Sequence, residues 1–220
     1  MIQFQQISKR YNEAIALEGV HFSVGASEMV FLTGHSGAGK TTVLKLILGL
    51  TAPSSGTLIV EGCDVSQLPE STVPIYRRHI GVITQSPLLL HDRSVFHNVE
   101  LPLLIRGARG IDVERRVRGA LDKVGLLHKE NALPSALSAG ERQRVSIARA
   151  LVTKPKVLLA DEPTGNLDPG LSAEVMNLFE AFRQVGMSIL VATHDLALIA
   201  QMKYRIMTLS HGRLIDDGAG

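Results

Sequence analysis

Gly34-His35-Ser36-Gly37-Ala38-Gly39-Lys40-Thr41 decides how the rest of the chain is read. It fits the pattern G-x-x-x-x-G-K-S/T, follows the apolar run Met29-Val30-Phe31-Leu32, and leads into Val43, Leu44, Ile47 and Leu48 at helical spacing. A glycine-rich turn between a strand and a helix lets backbone amides close around phosphate oxygens, at the helix end whose dipole favours anions. Lys40 has the reach to meet the β- and γ-phosphates, and the Thr41 hydroxyl is suited to coordinate Mg²⁺. A merely flexible turn would not need a strand and a helix on either side.

The bulk properties bound what such a loop can serve. A chain of 220 residues, 45% hydrophobic and 20% charged, is ordinary for one globular domain with its own core. Its net charge of +2 does not advertise nucleic acid or anionic lipid as a partner of the whole chain. The single cysteine, Cys63, excludes an internal disulfide and sits by Gly62 near a predicted turn. No apolar run approaches the roughly 20 residues that span a bilayer. Residues 1–10 alternate polar and apolar like a strand and lack the apolar core of a signal peptide. A cytoplasmic protein is expected, with any membrane role requiring a separate partner.

Short apolar runs alternating with helix-period segments predict an α/β fold, a mainly parallel sheet with helices on both faces. Residues 20–24 and 58–60 predict an antiparallel β element near the N-terminal end. Residues 80–84, 157–160 and 189–192 predict core strands, the last two continuously apolar as expected when both faces are buried. Val113, Val117, Leu121 and Val124 predict a helix, with Asp112 as a cap and Gly125 as a stop. Arg115, Arg116 and Arg118 occupy its other positions and read as a solvated face, with partner docking as the alternative. Val175, Leu178, Phe179, Phe182 and Val185, followed by Gly186, predict a helix returning to the sheet. The chain thus reads as one domain over 1–220: a nucleotide-binding core at 1–86 and 147–220, and an inserted α-helical subdomain at 87–146.

Chemistry collects at predicted strand ends. Asp161 and Glu162 close a buried strand, and in open parallel sheets ligands sit at that edge. Asp161 is suited to hold Mg²⁺, and Glu162 to accept a proton from an attacking water. A solvated loop is the plain reading of such a pair alone; the phosphate loop upstream tips it toward catalysis. Gln85 and His194 follow two other predicted strands. Each is a weak signal singly, and their common placement makes them candidates for contacting metal, water or γ-phosphate. Leu137-Ser138-Ala139-Gly140-Glu141 before an apolar helix reads either as a second anion-binding helix start or as a simple serine cap.

In this order, the phosphate loop, Gln85, Leu137-Ser138-Ala139-Gly140-Glu141, Asp161-Glu162, Asn166-Leu167-Asp168 and His194 resemble the ATP-binding cassette ATPases over essentially the whole chain. The five-residue signature is the specific part, since ordinary phosphate-loop proteins lack it. The resemblance implies a phosphate-loop NTPase core of that family's type, with ATP and Mg²⁺ as cofactors. It implies nucleotide contacts from Tyr11, Gly34, His35, Ser36, Gly37, Ala38, Gly39, Lys40, Thr41, Thr42, Gln85 and His194. It implies metal ligation by Thr41, Gln85 and Asp161, and catalysis by Glu162 with His194, Gln85 and Lys40. It further implies an ATP-bound homodimer, in which Ser138, Ala139, Gly140 and Glu141 of one copy close over ATP held by Lys40 of the other. Asn166 and Asp168 would cross that interface. Ala139 and Ser27 stand where the family usually has glycine; the first is expected to slow closure, the second to matter little.

Residues 98–103 and 159–168 resemble the family branch that serves lipoprotein release, macrolide efflux and cell division. Residues 31–40, 73–81, 92–95 and 121–127 are most similar to its cell-division members. That likeness implies an integral membrane subunit as partner, other division proteins indirectly, and a peripheral place on the cytoplasmic side of the inner membrane at the division site. It implies a docking groove near residues 85–106. An exporter ATPase is the first rival and a non-hydrolysing ATP-fastened module another. A nucleic-acid ATPase is disfavoured because no long coiled coil, zinc module or second cassette is present, so no nucleic-acid partner is expected.

Overall fold

The computed structural model describes residues 1–165 and 167–218, apart from the side chains of Leu196, Ala197 and Gln201. Asn166, expected at the dimer interface, lies outside the described residues. Ten strands and seven α-helices are described: β1 (Ile2–Tyr11), β2 (Ala14–Val24), β3 (Met29–Thr33), α1 (Lys40–Ile47), β4 (Ser55–Val60), β5 (Cys63–Asp64), α2 (Val73–Arg77), β6 (Ile80–Ile83), α3 (Val95–Ile105), α4 (Ile111–Lys123), α5 (Ala139–Leu151), β7 (Val157–Asp161), α6 (Pro169–Gln184), β8 (Ser188–Ala192), α7 (Leu196–Gln201), β9 (Arg205–Ser210) and β10 (Arg213–Asp216).

Two sheets result. One is four-stranded and antiparallel, in the order β2-β1-β4-β5, with Phe4 and Phe22 stacked at 4.4 Å across a strand pair. The other has the order β10-β9-β3-β8-β7-β6, parallel throughout except for β10 against β9. The strand side chains alternate between two cores. Phe31, Leu158, Ala160, Ile189 and Val191 point into a cluster built with α3, α4, α5 and α6. Val30, Leu32, Val157, Leu159, Leu190 and Ala192 point into a second cluster with α1 and the antiparallel sheet. The central strands β3, β7 and β8 are covered on both faces, which explains their apolar runs.

Parallel pairing brings the C-terminal ends of β3, β8, β7 and β6 to one edge, in that spatial order. There the chain continues into the phosphate loop, Thr193-His194, Asp161-Glu162 and Thr84-Gln85 respectively.

Some local expectations need correction. Gly110, not Asp112, caps α4; Asp112 sits in the first turn and pairs with Arg115 (2.5 Å) and Arg116 (2.7 Å). That placement suits the helix dipole and neutralises part of the basic face. Val185 is 78% exposed at the C-cap of α6, because the buried face ends at Phe182. Ser27 has φ of 58°, a left-handed conformation that costs a residue with a Cβ about 1–2 kcal/mol. Its departure from glycine therefore has a stability cost. Positions 146 and 147 both fall inside α5, so the division drawn there cuts a continuous helix.

Candidate active site

The phosphate loop is wedged into its shape by neighbours. A Cβ on Gly34 would lie 2.3 Å from the Leu209 carbonyl oxygen of β9. Gly39 has φ of 112° as it caps α1, and a Cβ there would lie 2.7 Å from Leu17 Cδ2. Only glycine satisfies both positions. No side chain caps α1, so its first-turn amides keep their capacity for an anion. The Lys40 ammonium donates to the Gly34 (2.6 Å) and His35 (3.2 Å) carbonyls, which hold it across the loop.

Facing the loop is a cleft of about 560 Å³. Its lining includes residues 35–42 together with Gln85, Asp161, Glu162 and His194. Four separately predicted segments therefore meet in one cavity. Glu162 is held in a left-handed conformation (φ 48°) by its N–H, which donates to the Ala192 carbonyl at 2.8 Å. Its carboxylate is 11% exposed and accepts from Thr193 Oγ1 (3.1 Å) and the His194 N–H (3.2 Å). Oε1 also contacts Nδ1 of His194, whose side chain is 72% exposed.

Asp161 stands at the end of β7, partly buried. Burial pushes its carboxyl up, the adjacent Glu162 charge adds to this, and the Lys40 charge opposes it. The folded state thus binds this proton more tightly than the unfolded one. Its stability contribution is greatest at acid pH and is lost as pH rises through the elevated value. Asp161→Asn is expected to raise the unfolding midpoint of the nucleotide-free chain at neutral pH while abolishing hydrolysis. Thermal scans should show the gain shrink towards about pH 4, where ordinary carboxylates protonate; a pH-independent difference would refute this cause.

Hard oxygens in the lining include the Thr41 hydroxyl, the Asp161 carboxylate and the Gln85 amide oxygen. That set fits Mg²⁺, which takes one or two carboxylates and completes its shell with substrate phosphates. Among the described residues no group of three His, Cys, Asp or Glu could hold a metal alone.

Other expected site residues lie elsewhere. Tyr11 does not line the cleft; Lys9 Nζ sits 5.0 Å from its ring centroid. Ser138 caps α5 in a complete capping box with Glu141. Lys129, bonded to Glu141 at 2.5 Å, and the Ser138 N–H hold that carboxyl below its usual range. Ala139 and Gly140 form the first residues of α5, and Asp168 caps α6 by accepting from the Leu171 N–H (3.0 Å). None of these reaches the cleft of its own chain. Within one chain, the plain serine-cap reading describes Ser138.

Sequence reasoning missed Gln143. It is 2% exposed, and its amide donates to the Pro163 carbonyl at 3.1 Å and, more weakly, to Thr84 at 3.4 Å. One side chain of α5 therefore ties the segment before Gln85 to the segment after Glu162. Only the spatial meeting of β6, β7 and α5 reveals this; a glutamine inside an amphipathic helix gives no signal. Gln143→Leu leaves the buried Pro163 carbonyl short of a donor, at a cost of about 1–3 kcal/mol. The expected result is lower turnover even well below the unfolding midpoint; turnover equal to the parent there would leave Gln143 a packing residue. His211 was also missed: its ring lies 4.8 Å from that of His35, at the turn bracing the loop.

Comparison with known proteins agrees with this geometry. Residues 17–165 match the ABC transporter family. The chain is 55% identical over 215 residues to the cell division ATP-binding protein FtsE of Escherichia coli (strain K12), covering 97% of each. It is 47% identical to the protein of that name from Haemophilus influenzae (strain ATCC 51907 / DSM 11121 / KW20 / Rd), covering 97% of this chain and 99% of the other. Among solved structures, the dimeric bacterial ABC transporter cassette MJ0796 superposes with a TM-score of 0.91 at 31% identity, covering all of both chains. The same cassette in a dimeric post-hydrolysis state bound to ADP and Pi gives 0.90, again at 31% identity and full coverage of both. With likeness of sequence along nearly its whole length and likeness of fold along all of it, this chain belongs to the ABC transporter family and is one of that family's ATPases.

Proposed function

We propose that the chain is the ATP-hydrolysing subunit of a bacterial cell-division complex, working as FtsE with an FtsX-like integral membrane subunit. The observation that carries this is the full-length likeness to FtsE combined with a cleft that joins phosphate loop, carboxylates and His194. In that role it lies peripherally on the cytoplasmic side of the plasma membrane at the division site. It passes a conformational signal to cell-wall hydrolases, contacts other division proteins only indirectly, and binds no nucleic acid.

ATP lies with its phosphates on the α1 amides and Lys40. Thr41, Gln85 and Asp161 hold Mg²⁺, which supplies charge neutralisation for the phosphates when bound. Glu162 takes a proton from the water whose oxygen attacks the γ-phosphorus, and the bond to the β-phosphate oxygen breaks to leave ADP. His194 now occupies Oε1 of Glu162; swinging the exposed ring to the γ-phosphate frees that oxygen to act. Ser138, Ala139 and Gly140 stand outside their own cleft, which suits a role over the second copy's ATP. A γ-phosphate shared by donors of both chains stabilises the closed pair selectively, and its loss removes that difference. The helical subdomain at 87–146 carries the motion to the membrane subunit.

The test is depletion in cells with capture of the membrane subunit. Filamentation at low salt with an FtsX-like partner supports the proposal. Mislocalised lipoproteins with a transporter permease would assign the chain to an exporter instead.

A further inference from the structure

The basic face of α4 has no part in the ATPase chemistry, and two of its arginines border a groove of about 440 Å³ between α4, α5 and α6. Leu151, Val152 and Phe182, all buried, give the groove an apolar floor. Arg115, Arg116, Lys123 and Lys154 stand exposed around it, and among the described residues lining it there is no carboxylate. The groove shares no lining residue with the ATP cleft. Sites for small molecules measure roughly 300–1,000 Å³ and combine an apolar lining with a few charged groups, a description this groove meets.

Gly119 lines the groove from the interior of α4, without a left-handed φ and with nothing within 4 Å of where a Cβ would stand. A glycine inside a helix is destabilising relative to alanine. Neither the backbone nor close packing accounts for this one, whereas an open groove wall does. The cations divide into two kinds. Arg115 and Arg116 are taken up by Asp112 at 2.5 and 2.7 Å. Among the described residues, no carboxylate ion-pairs with Lys123 or Lys154. The Lys123 ammonium rests 4.9 Å from the Phe182 ring centroid, which sets a free cation directly against the apolar floor.

α4, α5 and α6 all bring their C-terminal turns to this groove. Such turns carry partial negative charge, which disfavours a multiply charged phosphate and leaves the two lysines to balance a single negative group. We propose that the groove binds a fatty carboxylate, its hydrocarbon chain on Leu151, Val152 and Phe182 and its head between Lys123 and Lys154. The site lies apart from ATP hydrolysis and does not depend on the cell-division reading. It joins α4 of the helical subdomain to α6 of the core, so an occupant touches both. A bilayer surface fits less well, because the apolar floor is buried beneath the cations.

The test uses the full chain and fluorescent anilinonaphthalene sulfonate, with phenylnaphthylamine, the same body without the anion, as control. The sulfonate is expected to bind at least about tenfold more tightly than the control. It should be displaced by decanoate but not by decanol, and stay bound in saturating ATP. K123Q/K154Q is expected to weaken the sulfonate about tenfold and leave phenylnaphthylamine unchanged. G119F, which fills the open wall, is expected to weaken both probes; parent-like ATP affinity in each variant shows that it is folded. Equal binding of the two probes, displacement of the sulfonate by ATP, or binding kept in both variants overturns the proposal. Failure of decanoate to displace the sulfonate overturns it as well. If a helical Glu/Leu peptide displaces the sulfonate where decanoate does not, the groove is a protein dock instead. If the chain floats on phosphatidylglycerol vesicles through Lys123 and Lys154 without decanoate displacement, it is a lipid surface.

Discussion

Glu162→Gln is expected to slow ATP turnover by about 10²–10⁴-fold, the range lost when a positioned general base is removed, while ATP continues to bind. The amide keeps the size of the carboxylate, its oxygen can still accept from the His194 N–H while its NH2 donates to Thr193 Oγ1, and the φ of 48° is undisturbed. The change therefore removes basicity without remodelling the cleft. With hydrolysis stopped, the closed pair cannot lose its γ-phosphate, so the variant should migrate as a dimer in ATP and Mg²⁺ where the parent is largely monomeric. Size-exclusion chromatography coupled to light scattering reads this directly. Parent-like turnover would remove Glu162 from the base role; a slow enzyme that stays monomeric would instead count against the two-copy sandwich.

Lys40→Ala should weaken ATP binding by two orders of magnitude or more. Among the described residues lining the cleft, the ammonium is the only cation apart from the two histidines, and hydrogen bonds to charged groups contribute about 1.5–3 kcal/mol each. Its loss also frees the Gly34 and His35 carbonyls, which it now draws together. Both effects act on the bound triphosphate. Titration calorimetry of ATP against parent and variant measures the loss, and an unchanged affinity would show that the loop does not grip phosphate through this residue. Circular dichroism is expected to be unaltered, since the hydrogen bonds of the ammonium go to carbonyls of its own loop.

Much of this arrangement was legible in the amino-acid order because its signals are local. A phosphate loop declares itself by glycines that only one backbone shape accommodates, and doubly covered strands such as β7 and β8 declare themselves by apolar runs. The strand order was hidden, because pairing β3 with β8 and β9 joins segments far apart in the chain and leaves no periodicity to read. β9, half-buried, and β10, short, mostly exposed and ended by Arg213 and Asp216, escaped notice because they carry no long apolar run. The Glu162–His194 contact and the Gln143 bridge are likewise products of tertiary assembly. The signature residues show the opposite case. Their pattern is plain in sequence, yet within one chain Ser138 and Glu141 start a helix, with Glu141 also paired to Lys129.

The strand that feeds the phosphate loop is flanked on both sides by strands made much later. β3 pairs with β8 and β9, and the Leu209 carbonyl presses on Gly34 from behind. During synthesis, the first fifty residues will have left the ribosome well before their neighbours exist. A nascent chain arrested ahead of β8 should accordingly fail to retain immobilised nucleotide, and ATP can reward only a finished polypeptide.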